Sequence, residues 1–403
     1  MRDSKRPSLS NFLKDREKIF VLLVALFTVF IIYIPGTKLS TAQPQNRVHA
    51  KAVVLSADNS MVQQFGIVKT GEQILEVRFL DGPWKGDVAE AQNQLVGKME
   101  LDKFFRPQDR VLAVVDADGG NIIDVTLIDR YRLDIEAALL GLFVLLVVAF
   151  AGWTGVKAIL SFVFTAVMLW KVLLPGYLEG CDPLVLSAAV TAALTGVIIF
   201  LVAGFNRKGL VAFLGATAGL CLTCALSILF GRLFAVHGAV KPFAETLLYS
   251  GYPHLDLGKI FLSGIFIASS GAVMDLAMDV SASMNEIYLH RPELDLARGI
   301  RSGFQVGRAV IGTMTTTLLL AYFGGYSTML MVFIGQGTPL VNILNLNYVA
   351  AEILHTLVGS FGLVAVAPLT AVIGGFFYTR GQEESTVNPR VTAGGKKILK
   401  IKI

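Results

Sequence analysis

The chain has 403 residues, of which 54% are hydrophobic and 16% are charged, and its mean hydropathy is +0.63. Soluble globular domains carry about a quarter charged residues, so this composition excludes a soluble globule and indicates an integral membrane protein. The formal charge of +5 does not indicate nucleic-acid binding, because many basic residues gather at the two ends of the chain, as membrane topology favours. Cys181 lies in a predicted loop, and Cys221 and Cys224 are interpreted as small apolar side chains of a span.

The apolar segments follow a basic N-terminal segment, residues 1–18. Residues 19–36 form the first of them, and we interpret it as an uncleaved transmembrane anchor because no small-x-small cleavage site follows cleanly. Seven further segments have close to the twenty apolar residues that the hydrocarbon core requires, namely 133–152, 155–174, 183–204, 209–230, 258–280, 304–323 and 350–378. The sequence therefore predicts about eight transmembrane helices, seven of them in a membrane domain at 133–378.

One more apolar segment, residues 326–341, is too short and too interrupted to be counted as a span. Gly335, Gly337 and Pro339 break it, and we interpret it as a re-entrant or loop element. With eight spans, both termini lie on the same side of the membrane.

Positive charge predicts the orientation of the bundle. Residues 206–208 and the basic loop 291–301 fall on the same side as the basic N-terminus and the Lys-rich tail, 379–403. Cytoplasmic loops carry an excess of Lys and Arg, so both termini are expected in the cytoplasm. The loop 231–257 is an exception to this distribution, because it places basic residues, including Lys241, on the outer side.

A polar segment, residues 37–132, lies between the first two spans and is placed outside the cytoplasm by this orientation. Runs rich in Val, Ile and Leu alternate in it with turn sequences such as Asp58-Asn59. It is predicted to be a small β-rich domain, either an OB-like barrel or a sandwich. It shows no His/Cys cluster, no GxSxG motif and no clear series of base-stacking aromatic residues, so we expect it to dock a partner or to shape an entrance.

Two carboxylates, Asp275 and Asp279, lie four residues apart inside the predicted span 258–280. Burying one carboxylate at membrane depth costs about 2.5 kcal/mol or more, so two of them on one helical face need a use or a partner. Ala268 and Gly271 lie on the same stripe, and such small residues let a neighbouring helix approach closely. The favoured hypothesis is coupling of an ion, usually a proton, to the movement of another molecule; the alternative is a pair of helix-end acids neutralised by an arginine.

The next span offers a counter-charge at a similar depth. Arg308 enters the membrane in the cytoplasmic third, where the spacing along the preceding span also places the two aspartates. We therefore predict an ion-coupling cluster of Asp275, Asp279 and Arg308. A short amphipathic helix on the cytoplasmic surface, beginning near Pro292 and including Ile300, is predicted between the two spans.

Glu352 and His355 lie one helical turn apart near the outer end of the last span. Histidine titrates close to physiological pH, so the pair is a candidate outer proton station; the alternative is an interfacial turn in contact with water. No third or fourth ligand has suitable spacing for zinc, and no phosphate loop or nucleophile elbow occurs. The sequence predicts no catalytic residue, no metal site and no cofactor.

Three segments in order, SSGAVMDLAMDVSASMNEI, GRAVIGTMTTTLLLAYFGGY and AAEILHTLVGSFGLVAVAPLTA, resemble the YibE/F family of bacterial multi-spanning membrane proteins. The resemblance covers residues 133–378, and the anchor and the extracytoplasmic domain agree with it in layout. It implies a multi-pass protein of the bacterial cytoplasmic (inner) membrane. For function it implies a transporter at most, with no mechanism.

Residues 265–325 also resemble SecD/SecF and other RND-type transporters, through an acidic span followed by LDLARGIRSGFQVGRAV and TMTTTLLLAYFGG. In that superfamily a membrane acid takes part in proton-driven work, which here implies Asp275 and Asp279. The chain departs from that pattern by two extra spans and a smaller outer domain.

Two functional hypotheses follow, and neither is an enzyme. The first is a proton- or ion-coupled transporter or export factor of unknown substrate. The second is a non-transporting membrane scaffold whose β-domain recruits a protein partner. The expected partners are the lipid bilayer and either a second copy of the chain or a second membrane subunit, and no nucleic acid is expected.

Overall fold

The computed structural model of the chain describes residues 16–34, 47–118 and 121–387. The predicted Pro35-Gly36 end of the anchor and most of the basic residues at the two chain ends lie outside these ranges. The chain divides into two compact units, one of which is Lys38–Phe150. This unit extends past the predicted domain end at residue 132 and includes the first part of the following helix.

The smaller unit contains a β-barrel. Its strands are β1 Arg47–Asp58, β2 Val62–Phe65, β3 Val68–Phe79, β4 Val88–Val96, β5 Arg110–Asp118 and β6 Asn121–Arg130. Their order in the sheet is β1-β5-β6-β4-β3-β2, and an additional antiparallel pairing of β1 with β3 closes the sheet on itself. The predicted β-rich domain is confirmed, and because the sheet closes it is a barrel and not a two-sheet sandwich.

Alternation of side chains along the strands fills the barrel. In β3, Leu75, Val77 and Phe79 are buried at every second position, as a strand with one buried face requires. Two buried side-chain amides complete the interior: Asn93 Nδ2 donates a hydrogen bond to Gln73 Oε1 at 2.9 Å. This hydrogen bond satisfies polar groups that would otherwise destabilise the interior.

The helices account for the rest of the described chain. They are α1 Arg16–Tyr33, α2 Leu133–Met168 with a π-helical turn Leu169–Leu173, α3 Leu174–Leu178, α4 Pro183–Ala203, α5 Arg207–Leu233, α6 Ala244–Tyr249, α7 Leu257–His290, α8 Leu296–Gly335, α9 Leu340–Asn345 and α10 Asn347–Val387. Among the described residues, six helical segments are long and apolar enough to cross a membrane, namely Leu133–Leu178, α4, α5, α7, α8 and Asn347–Thr379. The mostly helical character predicted from the sequence is confirmed, and these helices have the length and composition that membrane spans need.

Two predicted spans, 133–152 and 155–174, fall within one helical segment. Leu133–Leu178 contains 46 residues, or about 69 Å of helix, which is about twice the hydrocarbon thickness of a bilayer. Gly152 interrupts it with φ 55° and ψ −129°, a backbone conformation open mainly to glycine. The interruption lies where the sequence separates the two predicted spans.

Two predictions for the region after α7 are wrong. The separate surface helix from Pro292 does not form, because α8 begins at Leu296 after Asp295 and continues without a break. Residues 326–335, predicted as part of a re-entrant or loop element, are the last turns of the same helix. Gly335 is its final residue and Gly337 has a φ of 70°, so these glycines end a helix as a left-handed C-terminal residue does.

Glycines also set the packing of the bundle. The largest shared core joins α4, α5, α7, α8 and α10. A β-carbon at Gly219 of α5 would lie 3.0 Å from Val366 Cβ of α10, and one at Gly215 would collide with Thr370. Gly215 and Gly219 therefore let α5 and α10 pack closely.

One end of the bundle is marked by an ion pair between helix starts. Asp182 precedes α4, accepts hydrogen bonds from Leu184 N and Val185 N, and contacts Lys259 Nζ of α7 at 2.6 Å. The Lys259 ammonium and these backbone groups lower the pKa of the Asp182 carboxyl. Because the loop residue His254 also reaches Leu178 O at 3.1 Å, the end of α3 and the starts of α4 and α7 lie together.

Candidate functional site

A cluster of charged side chains lies at the end of the bundle where α7 and α10 begin. Lys241, in the loop between α5 and α6, forms an ion pair with Glu352 of α10. The other carboxylate oxygen of Glu352 lies 3.8 Å from His355 Nδ1, one turn further along the same helix. The side chains of Glu352 and His355 are 14% and 13% exposed, whereas that of Lys241 is 42% exposed. A titratable pair is therefore held mostly away from solvent, with its cation at the rim.

Aromatic rings enclose His355. The Tyr322 ring of α8 stacks on the imidazole with ring centroids 4.4 Å apart, and Phe261 of α7 approaches edge-on at 6.5 Å. Neither imidazole nitrogen has a hydrogen-bond partner among the described residues, and neither does Tyr322 Oη. Leaving a buried polar atom unpaired costs about 1–3 kcal/mol, and such groups in native proteins call for an explanation such as a functional role. Both imidazole nitrogens therefore keep their hydrogen-bonding capacity.

A cavity of about 400 Å³ adjoins this cluster, which is within the range of small-molecule sites. His355 and Lys241 line it together with residues of the α5–α6 loop, α6 and the first turns of α7. The lining is mostly apolar and includes Phe243, Leu247 and Phe261. The predicted pair Glu352 and His355 thus lies beside a space that a ligand can occupy.

The two predicted ion-coupling acids lie on the exposed side of α7. Asp275 and Asp279 are both exposed, as are Ala268 and Gly271 on the same stripe. The opposite side of the helix, which includes Val280, is buried in the shared core. No part of the described chain covers this acidic stripe, so a membrane around the bundle would meet it unless another molecule covers it.

Arg308 does not contact these acids within the described chain, contrary to the predicted cluster. Among the described residues, no ion pair joins it to Asp275 or Asp279. Gly307 occupies the contact instead: a β-carbon there would lie 2.6 Å from Ala367 Cβ and 4.0 Å from Val280 Cγ2. Arg308 is the next residue, rotated about 100° around α8, and it is exposed.

Sequence reasoning missed three members of the site. Lys241 was interpreted only as a basic residue that does not fit the predicted orientation of the bundle. Tyr322 and Phe261 were assigned no role. A basic residue on the outer side, where the positive-inside rule disfavours it, was the available signal for Lys241. The GxxxGxxxG pattern of Gly299, Gly303 and Gly307 likewise indicated which face of α8 packs.

Comparison with known proteins gives one match. The family model described as YibE/F-like protein matches residues 139–380. No curated protein and no solved structure matches the chain. Within the described ranges, no group of three or more His, Cys, Asp or Glu side chains is arranged to hold a metal ion.

Proposed function

We propose a transport function for this chain, which belongs to the YibE/F-like protein family: it is a proton- or ion-coupled membrane transporter or export factor. The observation that carries the proposal is His355, buried beside Glu352 and next to a cavity, with no hydrogen-bond partner in the described chain. An imidazole that can bind and release a proton and adjoins a ligand-sized space can link protonation to occupancy.

A second titratable position lies on α7, further along the helix from the cavity. Asp275 is fourteen residues beyond Phe261, the α7 residue that contacts His355, and this is about 21 Å along the helix axis. Acids inside membrane segments commonly mark proton or substrate pathways. In the proposed mechanism, Asp275 and Asp279 exchange the proton on the cytoplasmic side, and Glu352 with His355 exchanges it on the outer side.

We infer eight crossings and a cytoplasmic location of both termini. Among the described residues, six helical segments have suitable length and composition. The count of eight adds α1 and treats the parts of Leu133–Leu178 before and after Gly152 as two spans. The Lys and Arg bias of the loops supports this orientation. The membrane is then the bacterial cytoplasmic membrane and the barrel faces outward.

Proton flux tests the transport proposal. Purified full-length protein in sealed vesicles with an internal pH-sensitive dye is expected to move protons when a membrane potential is imposed, with or without added pools of small metabolites. Removing a positioned proton-transfer group costs about a hundredfold or more in rate, so His355→Gln and Asp279→Asn should abolish most of this flux. Glu286→Gln, an exposed acid two turns beyond Asp279 on α7, is the control and should behave as wild type.

Wild-type vesicles that conduct no faster than protein-free vesicles under every condition would contradict the proposal. Flux that survives both substitutions would instead remove these residues from the pathway.

A feature of the barrel favours the scaffold alternative. Met61, Phe65 and Ile67, around the β2–β3 hairpin, are 60%, 65% and 79% exposed. An exposed apolar cluster of this kind often marks a protein contact. If the chain is a scaffold, Phe65→Ser with Ile67→Ser should abolish crosslinking of the barrel to its partner in cells, while His355→Gln should change nothing. A transporter should show the opposite pattern in the flux measurement.

A further inference from the structure

We propose that the 400 Å³ cavity binds a molecule with an apolar body and an anionic head, and that Lys241 contacts the head. The inference names the class of cargo and therefore rests on the proposed transport function. Binding can be measured without transport, so the two proposals can fail separately.

The walls of the cavity account for the apolar body. Side chains from three elements converge on it: Phe243, Leu247, Leu257, Ile260 and Phe261. Burial of apolar surface contributes about 25 cal/mol per Å², and a cavity with this lining has few polar groups to satisfy. A molecule without a substantial apolar part would not bury most of the apolar surface of the walls.

The polar groups at the cavity account for the anionic head. Lys241 is the one charged side chain among the lining residues, and Thr246, Ser250 and His355 supply the other side-chain donors. A lysine ammonium has three N–H donors, and Glu352 accepts one of them. The side chain of Lys241 is 42% exposed, so its remaining donors can reach a ligand.

The acidic residues nearby do not face the cavity. Glu352 is bound to Lys241 and is absent from the lining, and Glu245 accepts a hydrogen bond from Tyr249 Oη at 3.1 Å. With donors and one cation at the cavity and no carboxylate among its lining residues, an anion is preferred over a cation of the same shape.

Gly264 provides a way to fill the cavity without disturbing the helix that carries it. It lines the cavity, and a β-carbon built on it meets no atom within 4 Å. Gly271, two turns further along α7, is also open to space and is not a lining residue. Gly264→Phe should occupy the cavity, and Gly271→Phe is the matched control.

Photo-crosslinking tests the proposal directly. Full-length protein in phosphatidylcholine nanodiscs is titrated with palmitic acid that carries a diazirine, and with the matched diazirine alcohol. The acid is expected to label residues 243–264 saturably and about tenfold more tightly than the alcohol, as loss of one charge-assisted hydrogen bond predicts. Lys241→Gln should remove this preference and Lys241→Arg should keep it. Gly264→Phe should abolish saturable labelling by both probes, and Gly271→Phe should not.

Equal affinity for acid and alcohol in wild type would overturn the anionic head, and labelling that survives Gly264→Phe would overturn the cavity as the site. Because Lys241→Gln also unpairs Glu352, the double variant with Glu352→Gln repeats the test with the ion pair removed and must also lose the preference. Nanodiscs that contain phosphatidylglycerol identify the source of the head. Competition with the acid probe assigns the site to an anionic lipid of the bilayer, and its absence assigns it to a free single-chain amphiphile.

Discussion

Replacing Gly303 with leucine is expected to destabilise the membrane bundle by about 3 kcal/mol, the upper part of the usual range for overpacking. A β-carbon at this position would lie 2.6 Å from Ala371 Cβ and 2.7 Å from Met284 Sδ, both closer than side chains approach one another. Helix α8 would have to move away from α10 and α7 together, because Gly303 lies between them. Thermal unfolding of the purified protein in detergent measures the effect.

Gly312→Leu is the control, since a β-carbon at Gly312 meets nothing within 4 Å. This substitution should leave stability within about 1 kcal/mol, the difference in helix propensity between Gly and Leu. The smaller substitution Gly303→Ala should also be destabilising, because its β-carbon meets the methyl group of Ala371. Ala371→Gly removes that methyl group and should relieve part of this cost. Equal unfolding midpoints for Gly303→Leu and Gly312→Leu would show that the face of α8 that carries Gly303 does not form the contact with α10.

Breaking the Lys241–Glu352 ion pair is expected to have an asymmetric effect. Lys241→Gln leaves a carboxylate that is 14% exposed without its cation, whereas Glu352→Gln leaves an ammonium that is 42% exposed and can be solvated. An uncompensated charge away from water is strongly destabilising, so Lys241→Gln should cost about 2 kcal/mol, and Glu352→Gln clearly less. Unfolding midpoints at neutral pH measure both.

The double variant completes this prediction. Lys241→Gln with Glu352→Gln removes both charges and should recover most of the stability lost by Lys241→Gln alone. The ion pair of Lys259 with Asp182 is the matched control at the same end of the bundle; both of its side chains are about 40% exposed, so Lys259→Gln should cost less than about 1 kcal/mol. Additive effects of Lys241→Gln and Glu352→Gln would mean that the two charges do not interact.

The aspartate stripe shows how far helical periodicity alone reaches. Spacing of four residues predicts that Asp275 and Asp279 share a face with small residues, and the structure places them so. Their partner could not be predicted in the same way, because it depends on how α8 is rotated against α7. Gly307 packs against Ala367 of α10 and lies near Val280 of α7, so packing, and not charge, sets the rotation that leaves Arg308 exposed.

The points at which helices are interrupted or end could be predicted only in part. The sequence separates two spans around residue 152, where Gly152 adopts a backbone conformation outside the helical region. The same rule misinterprets residues 326–335, because Gly335, Gly337 and Pro339 lie at or beyond the end of α8 and do not interrupt it. Residues 311–334 contain no proline and no charged side chain, and α8 extends to Gly335.

The sequence by itself determined the apolar helical character, the presence of a β-rich domain, the positions of most helices and the faces that carry acids and small residues. These properties depend on composition and on local periodicity, which the chain carries at each position. Only the tertiary structure decided that Lys241 joins Glu352 across 111 residues, that Tyr322 covers His355, and that a cavity adjoins them. Contacts between distant segments depend on the summed packing of several helices, which no single segment of sequence specifies.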